Sequence, residues 1–169
     1  MRGLVLVGAV GLMAAMATPA AAEWEFIPYT DGAKAVVTVD GSSLVVACGE
    51  KGSLVSYYEF PKSELAKELE GREEVYAQFM LDQDASGTGR YFSFRARLIA
   101  FKDGTMGVGG GGKGGLDIAN WFSKGKRKIM AALATSDPAS SQSYKIYVAK
   151  DFSAAGSTDA IRKVKAHCS

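Results

Sequence analysis

The sequence AVVTVDGSSLVVAC at residues 35–48 decides the predicted fold. A β-branched run leads into Asp40-Gly41, a strong signal for a two-residue hairpin turn. The run that follows alternates, so that Leu44, Val46 and Cys48 lie on one face of a strand. The segment therefore predicts two antiparallel strands, with Cys48 facing the core.

The same strand pattern continues on both sides of this hairpin. Its clearest instance is at residues 90–101, where Phe92, Phe94, Ala96 and Leu98 alternate with arginines. This alternation is typical of a sheet with one buried face and one solvated face. Further strand signals lie at residues 24–29, 54–60, 75–81, 126–135 and 144–152.

Three segments have a helical or mixed pattern. Residues 61–70 predict a short surface helix or an ordered loop, and Leu116–Phe122 a single helical turn. A closing helix follows Gly156, with Ser157 or Thr158 as its N-cap. Residues 23–169 are thus expected to form one domain of antiparallel strands closed by a helix. The predicted helix carries one apolar stripe, formed by Ala160, Ile161, Val164 and Cys168.

The first 22 residues have the pattern of a secretory signal peptide. Arg2 precedes an uncharged apolar run, Gly3 to Ala17, and the segment ends in Ala20-Ala21-Ala22. The apolar run is shorter than the roughly 20 residues of a membrane span. A charged start, a short apolar stretch and small residues at the end predict cleavage after Ala22 and export to the periplasm or beyond.

Composition and charge narrow the class of partner. Cleavage would leave 147 residues with 19 basic and 18 acidic side chains, a net charge of +1. A charge so close to zero gives no electrostatic reason to expect binding to nucleic acid or to anionic membranes. No later segment is apolar enough to predict a membrane span after cleavage.

The chain has two cysteines, Cys48 and Cys168. In an exported chain two cysteines most simply form a disulfide, which here would tie the closing helix to the sheet. A free thiol or a metal site is the alternative, although a site without a histidine cluster is poor for zinc. The spacing excludes a Cys-x-x-Cys redox motif.

A glycine tract runs from Gly107 to Gly115 and is interrupted by Val108 and Lys113. It almost matches the phosphate-binding loop Gly-x-x-x-x-Gly-Lys-Ser/Thr, but Gly114 stands where the hydroxyl is needed. Because ordering many glycines costs entropy, we expect a flexible loop, or a loop that becomes ordered against a partner.

Residues Asp82 to Gly87 resemble the first half of a calcium-binding loop, with oxygen ligands at the first, third and fifth positions. The closing acidic ligand would fall at residue 93, which is Ser93. A tight turn between two strands explains the same residues. A turn is therefore expected here, with a weak calcium site as the alternative.

No set of residues predicts catalysis. His167 is next to Cys168, but neighbours in a helix point in different directions. Glu73-Glu74 would face opposite sides of a strand. Trp121-Phe122 precedes the basic run 124–128 and is expected to anchor the core beside solvated charges, with an acidic partner or a polysaccharide as the alternative. We expect neither an enzyme nor a cofactor site.

The two ends of the chain resemble a known group of proteins. The closing segment, Phe152 to Cys168, runs from a strand through Gly156-Ser157 into a helix with Ala160-Ile161 and a final cysteine. Leu44 to Cys48 has the form Leu-x-Val-x-Cys, and Trp24 lies near the mature start. These features are similar to the TagO-like proteins associated with type VI secretion and, more distantly, to the invasion-associated locus B proteins.

This resemblance implies a periplasmic, antiparallel β-sandwich-like accessory protein with no catalytic residues to carry over, and it makes Cys48 the partner of Cys168. We therefore expect an exported binding protein, a monomer or weak oligomer, that contacts another protein of the envelope or of a secretion or virulence system. A small-ligand, glycan or calcium-binding module and a secreted enzyme inhibitor remain as alternatives.

Overall fold

The protein is a mainly β structure in which two antiparallel sheets are closed by two helices. The computed structural model describes residues 22–65, 67–72, 74–83, 89–136 and 145–168. The predicted leader lies outside the described residues except for Ala22, and so does the predicted loop at residues 137–141.

The elements are numbered in chain order. Sheet A, in the order β1-β2-β3-β4-β8-β7, consists of β1 (Glu25–Tyr29), β2 (Gly32–Val39), β3 (Ser42–Cys48), β4 (Leu54–Pro61), β8 (Thr105–Gly111) and β7 (Ile99–Ala100). Sheet B, in the order β10-β9-β5-β6, consists of β10 (Ile146–Ser153), β9 (Lys128–Ala134), β5 (Glu74–Leu81) and β6 (Arg90–Arg97). The helices are α1 (Lys113–Phe122) and α2 (Ser157–His167), and short 3-10 turns lie at Glu50–Gly52, Lys62–Glu64 and Lys67–Leu69.

The hairpin predicted around Asp40-Gly41 is confirmed as β2 and β3, which pair in register from Val39↔Ser42 to Lys34↔Ala47. The predicted strand at residues 90–101 divides in two, because the chain leaves sheet B after Arg97 and joins sheet A at Ile99. Residues 61–70 form two 3-10 turns, and α1 has ten residues where a single turn was expected.

The two sheets pack face to face around one apolar core. Alternate residues of each strand point inwards; in β4 these are Leu54, Ser56, Tyr58 and Phe60. Tyr58 of sheet A contacts Phe152 of sheet B, with ring centroids 5.9 Å apart. This face of sheet A is called its inner face below, and the opposite face its outer face.

The helices cover the rest of the inner face and close one end of the sandwich. On α1, the ring centroid of Phe122 lies 4.7 Å from that of Phe79 and 5.9 Å from that of Trp24. Ser157 and Thr158 were expected to cap α2, and that prediction was wrong. Gly156 is the N-cap, and the two hydroxyls donate instead to carbonyl oxygens at the end of α1, those of Phe122 and Ser123. The start of α2 is thus joined to the end of α1.

The predicted disulfide between Cys48 and Cys168 is present and links α2 to β3. Ala160, Ile161 and Val164 of the predicted stripe are buried against sheet A, as expected. Within the described part of the chain, neither helix is long and apolar enough to cross a bilayer.

The phenol of Tyr58 is fully buried, and among the described residues its hydroxyl has no hydrogen-bond partner. Burial raises the pKa of Tyr58 to about 12, and Glu64 adds to the shift. The Ser42 hydroxyl is near enough to oppose the shift in part, although the two hydroxyls do not reach hydrogen-bond geometry. Tyr58 therefore fills volume in the core without using its polar group.

Removing the disulfide by replacing both Cys48 and Cys168 with alanine should lower the free energy of unfolding by about 4 kcal/mol. The bridge closes a loop with a sequence separation of 120 residues, which greatly restricts the unfolded chain. Urea denaturation of the oxidised wild type and the double variant measures the difference, and the reduced wild type should match the variant. A loss below about 1 kcal/mol would contradict this role.

Replacing Tyr58 with phenylalanine should leave stability at pH 7 unchanged or raise it by about 1 kcal/mol, because an unpaired buried hydroxyl is removed. Because burial raises the pKa of Tyr58 from 10 to about 12, the wild-type fold favours the neutral phenol. The resulting contribution to stability is complete below pH 10 and is lost as the pH rises through about 12. Y58F should therefore lose less stability than the wild type over this range, as measured by urea denaturation. The control Tyr91→Phe, at an exposed position, should follow the wild type.

Candidate functional site

The glycine tract does not form the flexible loop that was expected. Its first half is β8, paired with β4 along its whole length from Val55↔Gly111 to Pro61↔Thr105. Its second half is the start of α1. The prediction of a flexible loop was wrong. It rested on the entropy cost of ordering glycines and left out the close backbone contacts that only glycine permits.

Two glycines of the tract are held by such contacts. A Cβ at Gly107 would lie 2.5 Å from Cε2 of Phe101, whose ring covers this position. A Cβ at Gly109 would overlap the Ser56 carbonyl oxygen. At Gly111, in contrast, a Cβ would meet only Val55 Cγ1, at 3.5 Å. The strand is therefore ordered because its backbone is approached closely at Gly107 and Gly109, while space remains at Gly111.

Gly115 allows α1 to lie directly on sheet A. A Cβ there would overlap the backbone carbonyl of Leu54, and Ser56 Oγ donates to the Gly115 carbonyl oxygen at 2.8 Å. Around the neighbouring Gly114, no atom of the described residues lies within 4 Å of a Cβ position. The absence of a side chain at residue 115 thus fixes α1 against β4, whereas Gly114 is not needed for packing.

The glycine row leaves a groove on the outer face of sheet A. Its volume is about 330 Å³, and it lies over Gly107, Gly109 and Gly111. Val55 and Tyr57 come from β4, and Ile99 and Phe101 from the segment around β7; the Tyr57 and Phe101 rings are 5.7 Å apart. The side chains around this groove are therefore apolar or aromatic, and half of the Ile99 surface is exposed.

The groove opens onto an apolar strip across the outer face. Tyr57 pairs with Val45, which pairs with Val36, and Val55 pairs with Ala47 in the next row. These residues alternate with the inner-face residues of the same strands, against which sheet B and both helices pack. Within this strip Val45 and Ala47 are buried, at 4% and 9% exposure, and Val36, Val55 and Tyr57 are half-buried. The apolar surface open to a partner is therefore concentrated at the groove and Ile99.

Two carboxylates meet beside the groove. Thr105 Oγ1 lies 2.8 Å from Glu59 Oε1 and 2.7 Å from Asp103 Oδ1, so its single O–H can be donated to either carboxylate. Burial, together with the charges of Glu59 and Asp103 and the nearby Tyr29, raises the pKa of Tyr57. Among the described residues neither carboxylate has an ion-pair partner. A negative potential therefore extends to the wall of the groove.

The groove also lies beside an incomplete strand edge. The Phe101 N–H donates to the Thr105 carbonyl on one side of β8, and the Lys62 N–H donates to the Gly104 carbonyl on the other. Because backbone groups of successive residues point to alternate sides, odd-numbered residues of β8 face away from β4. The strand β7 pairs with β8 only at Met106 and Gly107. The N–H and C=O groups of Gly109 and Gly111 therefore point past the end of β7, where no described strand pairs with them.

Other cavities lie away from this edge. One of about 410 Å³ lies between α1 and the disulfide, near Leu54, Leu116 and Cys168. Another of about 470 Å³ lies beside the 3-10 turns, near Leu69 and Arg72. The groove differs from both cavities. Its apolar lining lies next to backbone groups without a strand partner and next to carboxylates without an ion-pair partner among the described residues.

The predicted calcium loop is described only at Asp82 and Gln83, since residues 84–87 lie outside the described part. Asp82 serves a turn: Oδ1 accepts the N–H groups of Lys126 (3.0 Å), Arg127 (2.7 Å) and Lys128 (3.3 Å). Burial alone would raise the pKa of Asp82, but these N–H groups outweigh it and lower the pKa. Among the described residues no group of three or more His, Cys, Asp or Glu side chains could hold a metal.

The remaining candidate residues are not brought together. Trp121 anchors the core, as expected: its Nε1 donates to the Phe79 carbonyl (3.1 Å), and its ring packs against Phe92. His167 is exposed at the end of α2 and contacts the edge of the Phe26 ring. Glu74 forms an ion pair with Arg95 across β5 and β6, and Glu73 lies outside the described residues.

Comparison of the chain with protein-family models, with curated proteins and with solved structures finds no match. The groove was also not predicted from the sequence. One signal for it was present, because glycines at 107, 109 and 111 have the period of two that marks one face of a strand.

Gly115→Ala should lower the free energy of unfolding by about 2–3 kcal/mol, because the added methyl group forces α1 away from β4. Gly114→Ala is the matched control and should raise it by about 0.5–1 kcal/mol, since alanine favours a helix and meets nothing there. Urea denaturation of both variants gives the comparison. Equal effects in the two variants would show that close packing at residue 115 is not what fixes α1.

Proposed function

We propose that this protein is an exported binding protein that captures a protein partner of the cell envelope in the groove on the outer face of sheet A. The proposal depends on three features that lie together: the apolar groove, the strand edge at Gly109 and Gly111, and the two carboxylates of Glu59 and Asp103, which form no ion pair among the described residues. Exposed apolar faces of this kind on a stable domain are typical of interaction sites.

Export is supported by two observations. The N-terminal segment has the pattern of a signal peptide, and Cys48 and Cys168 form a disulfide, a bond that persists in oxidising compartments such as the periplasm. In such a compartment the disulfide would keep α2 docked and the sandwich closed. The proposal assigns no catalytic step to the chain.

The test places a photo-crosslinking amino acid at Ile99 in intact cells, with Leu116 as the matched control. Both side chains are about half exposed, at 50% and 41%, but only Ile99 borders the groove. We expect a discrete cross-linked product from position 99 and none of the same mass from position 116. Identical products from the two positions, or none from position 99, would refute the proposal.

A second substitution links the cross-link to the groove. Gly111→Phe places a ring where a Cβ meets only Val55, so it should fill the groove while the domain stays folded. The cross-link from position 99 should fall about tenfold, which corresponds to the loss of one good apolar contact. Gly114→Ala should leave the yield unchanged, and circular dichroism checks that both variants fold.

A further inference from the structure

We infer that the partner enters the groove as an extended strand that pairs with the free edge of Gly109 and Gly111, bringing one large apolar side chain over the glycines and one lysine or arginine towards Glu59 and Asp103. The inference rests on the proposed function and names the chemistry of the partner.

The backbone geometry selects an extended polypeptide. Gly109 and Gly111 each direct an N–H and a C=O past the end of β7. Another β-strand presents complementary groups at the same spacing, which is how exposed sheet edges bind peptides. β7 has only two residues and pairs only with Met106 and Gly107, so Gly109 and Gly111 have no strand partner among the described residues, although β6 also lies close to β8.

The molecule itself shows what fits over a glycine of this strand. The ring of Phe101 covers Gly107 so closely that a Cβ there would meet it. An aromatic side chain placed over a glycine of the neighbouring strand is a known way to stabilise a sheet. Gly111 has no such cover and lies beside the groove. A large apolar side chain on an added strand would complete the row that Phe101 begins.

Charge selects the second side chain. Glu59 and Asp103 both lie within hydrogen-bond distance of the Thr105 hydroxyl, which can donate to one of them at a time, and neither has an ion-pair partner among the described residues. Their field reaches the Tyr57 ring, which forms one wall of the groove. A cationic side chain on the added strand would satisfy this field, whereas an acidic one would be repelled.

The probe is a displayed library of random seven-residue peptides, selected on the purified wild type and on G111F. We expect wild-type selections to enrich peptides that combine a large apolar residue with lysine or arginine, and selections on G111F to lose them. The inference is overturned if the two selections enrich the same peptides, or if neither enriches any.

The strand geometry is tested on one enriched peptide by N-methylation at each position in turn. In a paired strand only alternate N–H groups face β8, so methylation at every second position should weaken binding about tenfold, as expected for one lost backbone hydrogen bond. Methylation at the intervening positions should have little effect. A loss without this alternation refutes strand pairing, even if the cross-link from position 99 still supports capture of a partner in the groove.

The charge is tested by a double-mutant cycle. Replacing the lysine of the peptide with norleucine should weaken binding to the wild type about tenfold, but should have little effect on the variant with Glu59→Gln and Asp103→Asn. Equal effects on both proteins would show that Glu59 and Asp103 do not bind the lysine of the peptide, which would overturn this part of the inference. If size-exclusion chromatography with light scattering shows a dimer that G111F dissociates, the edge binds a second copy and the partner assignment is overturned.

Discussion

The direct contact between α1 and β4 at Gly115 sets the positions of both helices on the sandwich. Because residue 115 has no side chain, the helix backbone lies on the Leu54 carbonyl and accepts the Ser56 hydroxyl. That position brings Phe122 between Trp24 and Phe79, so α1 joins the two sheets. The end of α1 in turn accepts the hydroxyls of Ser157 and Thr158, which sets where α2 begins. The disulfide then fixes the far end of α2 to β3, so that both ends of this helix are attached to the rest of the fold.

The sequence predicted the strands well where one face is apolar and the other polar. At residues 90–97, phenylalanines alternate with arginines, and the pattern alone assigns the buried face. The fold class, the hairpin at Asp40-Gly41 and the disulfide followed from such local signals and from the two cysteines. The sheet order did not, because pairing β8 with β4 joins segments that are far apart in the chain, and no local pattern specifies such a partner.

The candidate site escaped prediction for a different reason. Sequence patterns are read from side chains, whereas the glycines of β8 have none. Gly107 and Gly109 are needed because the Phe101 ring and the Ser56 carbonyl oxygen approach their backbones, and only the structure shows these contacts. The capping residues of α2 show the same limit. Ser157 and Thr158 have the right chemistry for an N-cap. Their hydroxyls instead donate to carbonyl oxygens at the end of α1, which the sequence alone does not place beside them.

The passage of the chain from β6 to β7 gives the groove a mechanical connection to the opposite sheet. Ile99, on the groove wall, is separated from the last residue of β6 only by Leu98. One linking residue allows the Cα atoms of Arg97 and Ile99 to be at most about 7 Å apart, so the position of Ile99 is tied to the edge of sheet B. Leu98, the linking residue, itself packs against the core. The groove wall, the core and the arginine-bearing end of β6 are therefore covalently joined within three successive residues.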